Sequence, residues 1–187
     1  MSSFSIPRPT SGDVVDVILL DHQVMESLLR DLRNDSIDRE GARQAFAALF
    51  VAHGEAEEDV VYPKLKRRTR QVGEHEIEHG EEEHAEGLAC LLELLEAKGI
   101  DTQKYDDAAE KMSAYYYHHI VEEELTMLNP AREEISVAVR EQIGGDFLVA
   151  RSKLLDDNCG RIENVRALVK QAIADGKLPD EPLPDKP

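Results

Sequence analysis

Cysteine is scarce in this chain: its 187 residues include only Cys90 and Cys159. Two thiols cannot build the disulfide framework of a small secreted domain, and a chain of this length can bury a core without one. Cys90 lies in the apolar run Leu88 to Leu92, where a small buried thiol is expected. Long apolar runs are missing as well. No stretch approaches the roughly eighteen uninterrupted apolar residues of a membrane span, and Met1 to Gly12 has neither the basic start nor the apolar middle of a signal peptide. The expectation is one soluble, cytoplasmic domain. Positive charge is in deficit, since 22 Lys and Arg against 39 Asp and Glu give a formal net charge of −17. Such a surface repels nucleic acid and anionic membranes, so neither is expected as a partner. There is no strand alternation, nucleophile motif, phosphate loop or nucleotide fingerprint, and hence no support for a hydrolase or a kinase.

What the sequence does have is apolar residues at helical spacing, interrupted at a few Gly and Pro positions. A first helix is predicted from about Asp13, a good N-cap, to about Arg33, with Val17, Leu20, Val24, Leu28 and Leu32 inward. A second runs from about Asp38 through Phe46, Phe50 and Val61 to Pro63, which should kink or end it before a basic turn from Lys64 to Arg70. The third spans about Gly73 to Gly99 and the fourth about Asp101 to Asn129-Pro130. Two more follow, a short one from about Arg132 to Gly144 and a longer one from about Gly145 to Asp175. The predicted class is all-α: an antiparallel up-down four-helix bundle over residues 12–130 with additional C-terminal helices over 131–176. That extension could cap or flank the bundle, or pair two chains as a homodimer. Residues 1–11 and 177–187, rich in Ser, Pro and charge, are expected to be disordered.

Seven histidines are present, and four fall on the predicted apolar stripes, one per helix: His22, His53, His84 and His119. A histidine in a core needs a hydrogen-bond partner or a metal. Glu57 follows His53 by four residues and Glu123 follows His119 by four, so each pair shares one helical face. Imidazole and carboxylate without thiolate suit iron, zinc or manganese. Two carboxylates able to bridge, among four histidines, suggest two ions.

The order His22, His53-x-x-x-Glu57, His84, His119-x-x-x-Glu123, with Tyr62-Pro63 trailing the second helix, resembles the hemerythrin-like (HHE cation-binding) family over about Asp16 to Pro130. The resemblance implies a non-haem centre of two iron ions joined by an oxo or hydroxo bridge. His22, His53, His84 and His119 would be terminal ligands, and Glu57 and Glu123 would bridge. Oxygen-carrying hemerythrins add a fifth histidine one turn before the third-helix ligand, and Gly80 stands in that slot here. His75 and His79 form a His-x-x-x-His pair that could supply the third-helix ligands under a shifted register. His118 to Glu123, or His119 to Glu124, is the corresponding alternative on the fourth helix. Glu58, Glu122 and Glu124 are expected to support ligands or face solvent.

Two octahedral ions offer about twelve positions, of which this ligand set and one bridging oxygen fill about ten. The vacancy favours chemistry over carriage. The favoured reading is a peroxidase-like di-iron oxidoreductase that consumes hydrogen peroxide or nitric oxide in oxidative or nitrosative stress, fed by an unidentified electron donor. The alternative is reversible binding of O2, NO or iron as a sensor or store; a third reading is a zinc-stabilised or purely structural module. Tyr115, Tyr116 and Tyr117 adjoin His119. Tyr116 is a candidate donor or ligand to an iron-bound oxygen species, although aromatics at helical spacing ordinarily fill a core.

Overall fold

The computed structural model describes residues 4–179, and all regular structure among them is helical. Eight α-helices follow in order: α1 Val14–Asp31, α2 Arg39–Ala56, α3 Tyr62–Arg68, α4 Glu74–Glu96, α5 Gln103–Glu123, α6 Asn129–Glu134, α7 Val137–Asp156 and α8 Ile162–Ala174. Local chemistry sets their starts. Asp13 accepts the Val15 N–H at 3.0 Å, Asp38 the Gly41 N–H at 2.9 Å, and Thr102 the Tyr105 N–H at 3.3 Å. Among the described residues no helix is long and apolar enough to cross a membrane.

Pro63, expected to kink or end the second helix, interrupts its regular hydrogen bonding without stopping the chain's helical course. Residues Glu57–Val61 form one π turn, closed by the Tyr62 N–H donating to the Glu57 carbonyl, and α3 continues through the expected basic turn. Glu124–Leu128 repeats the device before Pro130, with the Asn129 N–H donating to the Glu124 carbonyl. Each proline lacks an N–H for the carbonyl four residues back and crowds it; a wider turn relieves the conflict.

The bundle is built from α1 against α2 and α4 against α5. The C-terminal helices flank it, α7 on α1 and α2, α8 on α4. Their division differs from the prediction. Gly144 and Gly145 lie inside α7, and the chain turns instead after Asp156, where Asn158 takes a φ of 54°. Gly144 serves close approach rather than turning: a Cβ there would lie 2.1 Å from the Gly12 carbonyl oxygen. Gly160 likewise packs on the backbone of Ala48, 2.4 Å from its nitrogen to a notional Cβ.

The expected disorder of the ends does not hold over the described parts. Phe4 and Ile6 pack on the core, and the Pro7 carbonyl accepts two hydrogen bonds from Arg151 at 3.2 Å. Leu178 is buried against Ala85 and Ala172, while Lys177 pairs with Glu81 at 2.8 Å. Residues 1–3 and 180–187, also in the predicted tails, lie outside the described residues.

Among the described residues two large apolar clusters fill the interior, beside the small one of Ala85, Ala172 and Leu178. One gathers Met25, Phe46, Phe50, Leu88, Leu91 and Tyr116; the other gathers Ile18, Val61, Tyr62, Met127 and Phe147. On each of α1, α2 and α4, and from α5 into the following π turn, the chain passes from one cluster to the other through a buried polar layer.

Candidate metal centre

That layer holds all six residues singled out by the sequence. His22, His53, Glu57, His84, His119 and Glu123 are each at most 4% exposed, so water does not solvate their charges. Donor atoms of His22, His53, Glu57 and Glu123 all fall within 4.8 Å of one another. The other two imidazoles complete the layer beside them: His84 Nε2 lies 3.4 Å from Glu57 Oε2, and His119 Nε2 lies 3.9 Å from Glu123 Oε2. The rings pair as His22 with His53, 5.1 Å between centroids, and His84 with His119, 4.9 Å. Each carboxylate therefore touches both pairs, because Glu57 Oε1 is 3.2 Å from His53 Nε2 and Glu123 Oε2 is 3.1 Å from His22 Nε2.

Every one of these histidines is oriented from behind by a second acid. His22 Nδ1 meets Glu124 at 3.0 Å, His53 Nδ1 meets Asp21 at 3.2 Å, His84 Nδ1 meets Glu58 at 2.9 Å, and His119 Nδ1 meets Glu83 at 3.0 Å. An ionised carboxylate only accepts, so each Nδ1 donates and each Nε2 faces inward. The sequence indicated supporting roles for Glu58 and Glu124 but not for Asp21 or Glu83. A signal was there: Asp21 and Glu83 stand directly before His22 and His84, as Glu58 and Glu124 stand directly after Glu57 and Glu123. The partners cross over in a two-fold pattern. Asp21 serves His53 as Glu83 serves His119, and Glu58 serves His84 as Glu124 serves His22.

The inner atoms fit a cation. His22 Nε2, His53 Nε2 and both oxygens of Glu57 and Glu123 are fully buried without an aligned hydrogen bond. Each such atom costs about 1–3 kcal/mol when left unsatisfied, and a bound cation satisfies nitrogen lone pairs and carboxylates together. Electrostatics point the same way. Burial, with repulsion from Glu123, pushes Glu57 well above the usual carboxylate range. Burial opposes charge on His22, yet Glu123 and Glu124 outweigh it and push this imidazole up to about 10, while burial takes His53 down to about 4. The acids thus ask for positive charge at the centre of the layer.

Gly80, the slot of the missing fifth histidine, faces Tyr62. A Cβ there would lie 3.1 Å from the Tyr62 hydroxyl, whose ring stacks on His84 at 5.7 Å. That hydroxyl is 3.4 Å from His84 Nε2, and burial raises its pKa well above 10, so the phenol keeps its proton. Tyr62, not Tyr116, is the tyrosine whose hydroxyl meets the layer. Tyr116 donates to the His22 carbonyl at 3.1 Å, Tyr115 donates to the Glu83 carbonyl, and Tyr117 is exposed. His75, His79 and His118 lie outside the layer on the surface. A cavity of about 10 Å³, lined in part by Met25, Phe50, Val51, Leu88, Tyr116 and the rings of His53, His84 and His119, abuts the layer.

A bundle crossed by one buried layer of imidazoles and carboxylates defines a cation-binding helical protein. The model of the hemerythrin HHE cation binding domain matches residues 13–130, and the chain belongs to that family. A DNA nickase of Nostoc sp. (strain PCC 7120 / SAG 25.82 / UTEX 2576) is 27% identical over 145 residues, 76% of this chain. The chain spans 40% of the length of that relative. No solved structure matches the chain.

Proposed function

We propose that the layer holds two non-haem iron ions and reacts with small oxidants, hydrogen peroxide first, in a peroxidase-like reaction. His22 and His53 would bind one iron, His84 and His119 the other, with Glu57 and Glu123 shared. Iron held there would supply one-electron redox and Lewis-acid chemistry. The chain's own groups do the rest. Four Nδ1–carboxylate bonds fix the ring tautomers, and Phe50, Leu88 and Met25 keep the adjoining cavity apolar. Tyr62 holds a proton at its hydroxyl beside His84.

The observation that carries this reading is the Gly80 cradle. Where a carrier places a fifth imidazole, this chain places a protonated phenol, which favours a bound oxidant with a donor beside it. The adjoining cavity, of about 10 Å³, is about the size needed for one water molecule. A net charge of −17 opposes a DNA backbone and so argues against the nickase chemistry of the Nostoc relative here. One observation favours reversible binding as a sensor: Arg151 and Phe147 of α7, outside the family match, reach the His53 side of the layer. A change there has a direct path to the extension.

The test is to load the full chain with iron, reduce it without air, and add peroxide, nitric oxide and dioxygen separately under spectroscopic observation. Sustained peroxide consumption with a supplied reductant supports the proposal. A reversible spectral change without turnover moves the reading to sensing. Glu57→Ala should lose most of the iron; retention of both ions places the site elsewhere.

A further inference from the structure

The two-fold pattern of the layer breaks at one place. Asp21, behind His53, is neutralised by the guanidinium of Arg151 at 2.6 and 2.7 Å. Its counterpart Glu83, behind His119, meets no such arginine among the described residues. Glu83 Oε2 accepts from His119, and Oε1 turns outward to two imidazoles, His118 Nδ1 at 3.4 Å and His79 Nε2 at 3.9 Å. His79 Nε2 also lies 4.0 Å from Glu122 Oε2.

The sequence offers a second set of His-x-x-x-Glu pairs here, His79 with Glu83 on α4 and His118 with Glu122 on α5, displaced onto the outer face of the same helix pair. Separations of 3.4 to 4.0 Å are long for a hydrogen bond between nitrogen and oxygen. They match two donors that each sit about 2.0–2.2 Å from one shared ion, which stand about 3–4 Å apart. His79, His118 and Glu122 are each roughly half exposed, so an ion reaches them from solvent; the four donors do not all converge as they stand, and rotamer changes of these exposed side chains would have to bring them together. His75 stacks on His79 one turn earlier, 6.4 Å between ring centroids, and is within reach as a further ligand.

We propose that His79, Glu83, His118 and Glu122 form an outer site for one divalent transition-metal cation. The cation takes the place at Glu83 that the Arg151 guanidinium takes at Asp21. Two imidazoles with two carboxylates, open to solvent, suit a borderline ion such as Fe²⁺, Co²⁺ or Zn²⁺ over Ca²⁺ or Mg²⁺. The site is one carboxylate removed from His119. An ion drawing on Oε1 weakens the bond that Oε2 accepts from His119, and so couples the surface to the interior layer. The outer site itself does not depend on iron in the layer; only this coupling does.

The experiment uses the full chain and Co²⁺ as the probe, with bound metal counted after equilibrium dialysis and the histidine ring resonances followed by NMR. Wild type should bind one Co²⁺ more per chain than H79A/H118A, and the resonances of His79 and His118 should broaden or shift as that ion binds. Glu57→Ala should lose interior metal while keeping the outer Co²⁺, which separates failure of the iron reading from failure of this one. Both substituted histidines are exposed, so H79A/H118A should fold; circular dichroism checks it. Equal Co²⁺ stoichiometry and affinity in wild type and H79A/H118A overturns the proposal. So does Co²⁺ uptake that leaves the His79 and His118 resonances unmoved.

Discussion

Arg151 grips Asp21 with two hydrogen bonds, Nε to Oδ2 at 2.6 Å and Nη2 to Oδ1 at 2.7 Å, and its side chain has no solvent exposure. The same Oδ2 accepts from His53, so an arginine beyond the matched family region closes a chain of contacts that ends in the buried His/Glu layer. Replacing Arg151 by Met removes the guanidinium that compensates the buried carboxylate of Asp21. Breaking a buried pair from one side costs about 3–5 kcal/mol. Chemical denaturation should show a loss of that size for Arg151→Met. The double variant Arg151→Met with Asp21→Asn should recover a substantial part of it; no recovery would mean that packing, not charge, sets the loss.

The acids behind the histidines should matter to metal without touching it. Asp21→Asn and Glu83→Gln keep shape but weaken the acceptor that holds His53 or His119 in its tautomer. Each is expected to lower metal affinity by about 10–100-fold. Competition against a chelator of known affinity checks this. Unchanged affinity in both variants would leave the Nδ1 contacts as packing alone.

How much of this was legible in the sequence follows from what kind of signal each residue gives. His22, His53, His84, His119, Glu57 and Glu123 could be found because a polar, metal-ligating type of side chain on a core stripe interrupts apolar periodicity at a fixed spacing. Asp21 and Glu83 do not interrupt anything. They adjoin candidate ligands on the same helix but serve a histidine on another, and only the packing of α1 on α2 and α4 on α5 reveals that. Arg151 reads as a surface charge on a helix, because nothing local tells that its partner is Asp21, 130 residues earlier. The π turns were hidden for the opposite reason. Proline spoke clearly at positions 63 and 130, but as a helix breaker, whereas the surrounding contacts let the helix widen and continue. Gly144-Gly145 misled in the same way, since glycine marks a turn and a close approach with the same letter.

Those two glycines make a matched pair. Both lie within α7, but a Cβ at 144 would strike the backbone of Gly12 at 2.1 Å and Val14 at 2.9 Å, whereas nothing lies within 4 Å of one at 145. Gly145→Ala should therefore stabilise the protein by about 0.5–1 kcal/mol through helix propensity. Gly144→Ala must push α7 away from the start of α1, and overpacking of this kind costs about 1–3 kcal/mol or more. Thermal melts of the two variants should move in opposite directions; parallel shifts would contradict the packing of α7 on Gly12.

Cys159 gives a pH dependence separate from the metal layer. Its thiol is buried in the turn between α7 and α8 and donates to the Ala48 carbonyl at 3.4 Å. Burial pushes it up from an ordinary 9 to about 11. The unfolded chain therefore loses this proton first as pH rises, and the folded chain keeps it. This thiol's contribution to stability is in full effect below about pH 9 and is lost as pH rises toward about 11. Stability measured from pH 8 to 11 should fall more steeply in wild type than in Cys159→Ala, which lacks the ionising group. Alkylation follows the same logic, because the thiolate is the reactive form. At pH 8 the folded protein should react at Cys159 much more slowly than the unfolded chain, and equal rates would place this thiol in solvent rather than against Ala48.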